Sequence, residues 1–180
     1  MARMTSLFAT LLLSTWAFTN AAIVIDFTSR KTPYPEVVPG PGLPTLAELN
    51  LTSEALYTMT PSFLETREPE LSGRSGFWTN TCFTYTTANV DDVIACFNYL
   101  ENIGSTNCGV ENTNVQFCYA GTAQITGSSI VGTSASSLCS DVALGVQWIF
   151  TYCNVGGQVG GDAAANGNGD LIVGVENVNW

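Results

Sequence analysis

Between Ser75 and Trp180 the only side chains of ordinary charge are eight carboxylates: Asp91, Asp92, Glu101, Glu111, Asp141, Asp162, Asp170 and Glu176. Two arrangements among them could carry chemistry. Asp91-Asp92 is a carboxylate pair, the equipment of glycoside hydrolysis. Neighbours on a helix point about 100° apart, however, and do not share a cleft easily. A place in the first turn of a helix explains both through the helix dipole, and Asp141 has the same explanation. Asp162, Asn166, Asn168 and Asp170 form the second arrangement, with oxygens at two-residue steps over 166–170, as in calcium loops. The EF-hand pattern fails there, because Leu171 stands where glycine is needed and no glutamate closes the loop. An Asn-Gly hairpin turn accounts for the segment. The chain has no histidine, which excludes the usual Ser-His-Asp and Cys-His hydrolases and His-ligated zinc or haem. No catalytic residue, metal ligand or cofactor is therefore assigned. A carboxylate glycosidase remains as the enzymatic alternative.

Other residue types point to recognition and to cross-linking. Trp148 and Tyr152 stand one helical turn apart, off the apolar face of their helix. They are either an exposed aromatic anchor for a partner or are covered by a second layer supplied by residues 23–74. Asn50-Leu51-Thr52 is an acceptor for N-glycosylation. The six cysteines are Cys82, Cys96, Cys108, Cys118, Cys139 and Cys153. No C-x-x-C pair occurs among them, so neither a zinc knuckle nor a thioredoxin-type site is expected. An even count in an extracellular context reads as three disulfides, for which sequence leaves 15 pairings open.

The elements that must hold these residues follow from periodicity. Phe77–Thr86 reads as a strand, rich in aromatic and β-branched residues. Asn89 caps a helix in which Val93, Cys96, Phe97, Leu100 and Ile103 form one apolar face, with Gly104 as its stop. Residues 115–125 and 129–133 read as strands of a hairpin turning at Gly127. A second helix starts at Ser136 or Ser137 and buries Cys139, Val142, Val146, Ile149, Phe150 and Cys153. A glycine-rich stretch follows, with a short strand around Gln158–Val159, and a last strand covers 171–176. The expected class is α+β, a small disulfide-stapled α/β sandwich ordered β-α-β-β-α-β, with two helices on an antiparallel sheet.

Composition divides the chain into three zones. Residues 1–22 read as a signal peptide, with Arg3 before an apolar run from Leu7 to Phe18. That run is shorter than the about 20 residues of a membrane span, so the mature chain is expected to be secreted without one. Residues 23–74 hold all seven prolines and no cysteine. They read as an extended arm or propeptide, with a short helix over 46–59 announced by the capping box Thr45-Leu46-Ala47-Glu48 and a solvated remainder. Residues 75–180 hold every cysteine but no Lys, Arg or His, so no side-chain salt bridge can form within them. The net charge of −10 argues against a nucleic-acid partner.

Cys82-Phe83 in a first strand, Asp-Asp-Val-Ile-Ala-Cys96 on a helix, Phe117-Cys118-Tyr119-Ala120-Gly121 in a strand and Gly-Gly-Gln-Val-Gly-Gly at 156–161 before a last strand form a spaced pattern. It resembles the secreted fungal effectors described as necrosis-inducing factors. The tail is similar to killer toxins of the calcium-channel-blocking type, which share the sandwich plan. The resemblance covers residues 77–176. It implies a secreted, monomeric, non-enzymatic protein that recognises a surface target on a host or competitor cell. It also implies a Cys96–Cys118 bond, and the expectation for the rest is Cys82–Cys153 and Cys108–Cys139. Toxins of this plan are typically basic. Residues 75–180 lack any cation, so they cannot plug a channel with a lysine. A durable wall-associated protein is the non-effector alternative.

Overall fold

A computed structural model describes residues 34–61, 78–111 and 114–180. Residues 1–22, expected to be a signal peptide, the first part of the arm at 23–33, its remainder at 62–74 and Phe77 of the expected first strand lie outside the described residues. In chain order the elements are β1 (Val37–Pro39), α1 (Ser53–Thr58), β2 (Thr81–Cys82), β3 (Ala88–Asn89), α2 (Val90–Asn102), β4 (Asn107–Val110), β5 (Val115–Ala120), β6 (Ala123–Ser129), β7 (Ala135–Leu138), α3 (Cys139–Tyr152), β8 (Asn154–Val155), β9 (Gln158–Val159), β10 (Gly161–Ala165) and β11 (Asn168–Asn177). Six of the strands form one sheet in the order β1-β5-β6-β11-β10-β2, antiparallel throughout. Helices α2 and α3 pack on each other and on this sheet. The fold is thus the expected α+β sandwich stapled by disulfides.

Both helices bury the faces their periodicity predicts. Val93, Cys96, Phe97, Leu100 and Ile103 of the α2 face are buried, as are Cys139, Val142, Val146, Ile149, Phe150 and Cys153 of the α3 face. Phe97 and Phe150 meet edge to face at 5.4 Å and join the two helices. Asn89 caps α2, its Oδ1 accepting from Asp91 N at 2.8 Å. Across the layer, Leu171, Val173 and Val175 of β11 and Ala163 and Ala165 of β10 point inward. The alanines leave room for α3 to approach closely. A side chain on Gly145 of α3 would begin 3.2 Å from Val173 Cγ2 and 3.4 Å from the Ala164 carbonyl, so α3 passes close to the sheet here.

Several local expectations are corrected. The hairpin turns at Gly121-Thr122, not at Gly127, and β6 runs through position 127. Gly121 has φ +51°, the conformation that glycine supplies at the first central position of a II′ turn. Gly127 is a spacer in mid-strand. A Cβ there would lie 2.5 Å from Phe117 Cζ. The strand expected at 77–86 shrinks to Thr81–Cys82, and residues 84–86 bend away from the sheet. The second helix begins at Cys139, because Ser136 and Ser137 are drawn into β7 by pairing with β4. The glycine-rich stretch is mostly strand. Gly156 and Gly157 take φ +61° and +83° in the tight turn between β8 and β9, and β10 follows.

The arm is part of the sandwich. Val37, Val38 and Pro39 pair with Ala120, Tyr119 and Cys118, so β1 supplies an edge strand of the main sheet. All the described residues fall in one compact unit. The compositional boundary at residue 75 is therefore not a boundary of packing. The capping box does form, with Thr45 N donating to Glu48 Oε2 at 2.7 Å and Glu48 N to Thr45 Oγ1 at 3.3 Å. It opens only a turn, because Asn50 adopts φ +53° and redirects the chain. Thr52 then caps α1 afresh, accepting from Ala55 N at 3.1 Å. Leu56 is fully buried and the Asn98 side chain donates to its carbonyl at 2.8 Å. Residues 34–61 are thus packed on the sandwich, while the remainder expected to be solvated, with Glu65, Glu68 and Glu70, lies outside the described residues.

Candidate functional site

The three disulfides are Cys82–Cys153, Cys96–Cys118 and Cys108–Cys139, the pairing expected above. Cys96–Cys118 pins α2 to β5, Cys108–Cys139 ties β4 to the start of α3, and Cys82–Cys153 links β2 to the end of α3. The last of these anchors the most unusual part of the surface. Phe83 and Tyr85 follow Cys82, and Tyr152 and Val155 flank Cys153. Phe83 stacks on Tyr85 at 4.8 Å, and Tyr85 meets Trp180 at 5.0 Å with the rings tilted by 52°. Tyr85 is 66% exposed, Tyr152 53%, Val155 70% and Trp180 70%. Beside them the 84–87 loop and the end of β11 enclose a groove of about 260 Å³. Asn177 holds its two walls together, with its amide donating to the Thr87 carbonyl at 3.0 Å and its backbone N to Thr86 Oγ1 at 3.0 Å.

Trp148 and Tyr152 do stand together, their rings 5.2 Å apart. They differ in setting: Trp148 leans on the core while Tyr152 is exposed. The arm packs on α2 and β5. Asn50 is exposed in its turn.

The carboxylates fall into separate environments. Asp91 is exposed while Asp92 is buried, so the pair shares no cleft. Helix capping does not account for Asp92. Its Oδ1 accepts from the Tyr57 hydroxyl at 2.7 Å, and its Oδ2 from Thr122 N at 2.7 Å and Thr122 Oγ1 at 2.8 Å. Three donors replace the missing cation and lock α1, α2 and the β5–β6 turn together. Burial, and then the Asp92 carboxylate, hold the Tyr57 hydroxyl well above its ordinary range. Asp141 accepts from Ser137 at 2.9 Å.

The oxygen-rich set at 162–170 does not converge. Asp162 sits within β10, Asn166 and Gly167 form the β10–β11 turn, and Asn168 Oδ1 accepts from Asp170 N at 3.0 Å. Gly167 has φ +78°, so the Asn-Gly hairpin reading describes this segment. Among the described residues no three metal-ligating side chains gather.

One carboxylate pair went unforeseen. Asp162 lies opposite Gly174, and Glu176, two residues on, shares its face. A Cβ on Gly174 would stand 3.2 Å from Glu176 Oε1, so the glutamate folds back over the glycine toward Asp162. Trp78 Nε1 donates to Asp162 at 3.2 Å, and Gln124 Nε2 to Glu176 at 3.4 Å. Burial pushes both carboxyls above their ordinary range against the pull of these donors, and the Asp162 charge adds to the rise at Glu176. Burial makes both carboxyls readier to hold a proton than isolated surface acids are.

A family model described as Domain of unknown function (DUF8794) matches residues 78–177. The chain belongs to this family. The DUF8794 match includes all six cysteines and both long helices, and leaves out β1, α1 and Trp180. Comparison with curated proteins and with solved structures gave no match.

Among the described residues no helix is long and apolar enough to cross a membrane. Tyr85 and Trp180 escaped the sequence reading because Tyr85 looked like a strand residue and its contact with Trp180 spans 95 positions. The one available signal was the Phe83-Thr84-Tyr85 alternation, which put both rings on one side.

Proposed function

We propose that this protein works outside the cell as a non-catalytic recognition protein of effector or killer-toxin type, secreted through residues 1–22 and acting on the surface of a host or competitor cell. One observation carries the reading. Of the seven large apolar residues exposed among the described residues, Tyr85, Tyr152 and Val155 lie within three positions of Cys82 or Cys153, and Trp180 meets Tyr85. A cross-linked frame that keeps aromatics in water is equipped to bind, because such anchors dominate interface energetics. The Cys96–Cys118 bond supports the same reading, since it is the one the effector resemblance implies. The exposed glycosylation acceptor at Asn50 fits an extracellular life. Labelled protein applied to intact cells and to isolated walls tests it: saturable retention, lost in a Tyr152→Ala/Val155→Ala variant of unchanged melting temperature, is the expected result. Retention by neither preparation overturns the reading.

The half-buried Asp162–Glu176 pair favours a second reading, hydrolysis of a polysaccharide by two carboxylates. Release of reducing ends by the native chain, abolished in Glu176→Gln, would establish it in place of the first.

A further inference from the structure

The groove beside Tyr85 and Trp180 has a lining that selects one ligand chemistry. We propose that it is a subsite for a neutral polysaccharide, with a sugar ring stacking on the exposed faces of Tyr85 and Trp180. The inference rests on the recognition reading above and names the ligand class.

Three observations carry it. The first is the platform. Phe83 backs Tyr85 at 4.8 Å, and Tyr85 meets Trp180 at 5.0 Å with 52° between the rings. Two exposed aromatics at that tilt form an open corner rather than a closed stack, which suits the apolar C–H face of a pyranose. Large, stiff rings give up little conformational freedom on binding. The second is the rim. Every remaining lining side chain is a threonine hydroxyl or an asparagine amide: Thr84, Thr86, Thr87, Asn177 and Asn179. Hydroxyls and amides both donate and accept, so they match sugar hydroxyls of either sense. The Asn177 bonds that join the walls keep this rim in place before any ligand arrives, which lowers the ordering cost.

The third observation is charge. No lining side chain is ionisable except the Tyr85 phenol, while every charged side chain among the described residues is a carboxylate. An anionic ligand would meet a repulsive field with no local cation to offset it. A cationic ligand would find its counter-charges elsewhere, at Asp162 or Glu176. A neutral, hydroxyl-rich chain is what the groove accommodates. Its volume of about 260 Å³ and its openness to solvent fit one or two sugar rings of a longer polymer. Such a site is weak alone, and repetition along the polymer gives retention.

The experiment uses the full chain. Insoluble chitin, β-1,3-glucan and cellulose are each incubated with native protein and with Tyr85→Ala, Trp180→Ala and Tyr85→Phe, with melting temperatures recorded in parallel. Retention on at least one polymer is expected, falling about tenfold or more in the two alanine variants, as truncation of an aromatic anchor does. Tyr85→Phe, which keeps the ring, should retain binding. Indole fluorescence should shift on titration with the soluble hexasaccharide of the retaining polymer and lose that shift in Trp180→Ala. If Tyr85→Ala melts early, Trp180→Ala and the fluorescence titration still decide. Absence of retention on all three polymers, or retention untouched by both alanine variants, overturns the subsite. Cell binding that persists after enzymatic removal of wall polysaccharide, together with no polymer retention, sinks the glycan while leaving the recognition reading standing. Absence of both sinks the two together.

Discussion

Removing the Cys82–Cys153 bond tests both the energetics of the fold and the role of the aromatic end. The two cysteines are 71 positions apart. Taken alone, closing such a loop in the unfolded chain is worth ~4.4 kcal/mol. The other two bonds shorten the route, however. With them in place, an unfolded chain connects Cys82 to Cys153 by running to Cys96, crossing to Cys118, returning to Cys108, crossing to Cys139 and continuing to Cys153. That path has about 38 residues, which lowers the expected contribution to ~3.9 kcal/mol. A loss of that size takes a large part of a stability that is typically 5–15 kcal/mol for a domain. The variant is Cys82→Ser/Cys153→Ser, so that no lone thiol is left to reshuffle. Guanidinium unfolding should show a lower midpoint and a steeper m-value, because the unfolded state expands. The melting temperature should drop by on the order of 10 °C. A double variant within ~1 kcal/mol of the parent would refute the loop-entropy argument. A full loss of stability with unchanged polysaccharide retention would show that the bond does not position Tyr85.

Three further outcomes follow from the described contacts. Gly127→Ala should destabilise by about 1–3 kcal/mol through its clash with Phe117, and Phe117→Leu should recover part of that loss in a double-mutant cycle measured by urea unfolding. Asp92→Asn sets an amide donor among three donors and should cost about 1–3 kcal/mol; limited proteolysis should then cut the arm near α1 first. Asp162 and Glu176 have raised folded-state values, so the native state binds more protons than the unfolded one between the unfolded and the folded pKa. Their contribution is therefore full below the ordinary carboxylate range and is lost as pH rises through the folded value. The melting temperature should increase from pH 7 to pH 4.5, and Asp162→Asn/Glu176→Gln should flatten that slope.

What was legible in the sequence was what local periodicity and covalent chemistry control. The main helix faces of 93–103 and 139–153 were readable because their apolar residues recur at helical spacing, whereas Asn98 and Tyr99 are buried by contacts to the arm that no local pattern announces. The hairpin turn was misplaced because Gly127 and Gly121 look alike in sequence. Only the approach of Phe117 to one, and of Asp92 to the other, tells spacer from turn. Strand β10 was read as loop because alanine and glycine carry little β preference, and their reason for being there is the close passage of α3. The arm reads as extended and separate because prolines dominate its composition, while its anchors in the described residues are few: Val37, Leu56 and Tyr57. The Asp162–Glu176 pair and the Tyr85–Trp180 corner both depend on strand register and loop closure across long separations, which no local pattern encodes.

The confinement of every basic residue to positions before Ser75 has a consequence for proteolysis. A trypsin-like protease meets no cleavage site from Ser75 to Trp180, whereas Arg67 and Arg74 lie between α1 and β2. A single cut there would leave two chains with no disulfide between them, since the arm has no cysteine. Strand β1 would stay in the sheet by its ladder with β5, and α1 by Leu56 and the Tyr57–Asp92 hydrogen bond. The nicked protein would then be a two-piece complex whose edge strand leaves and returns by mass action, so dilution alone would open one side of the sheet.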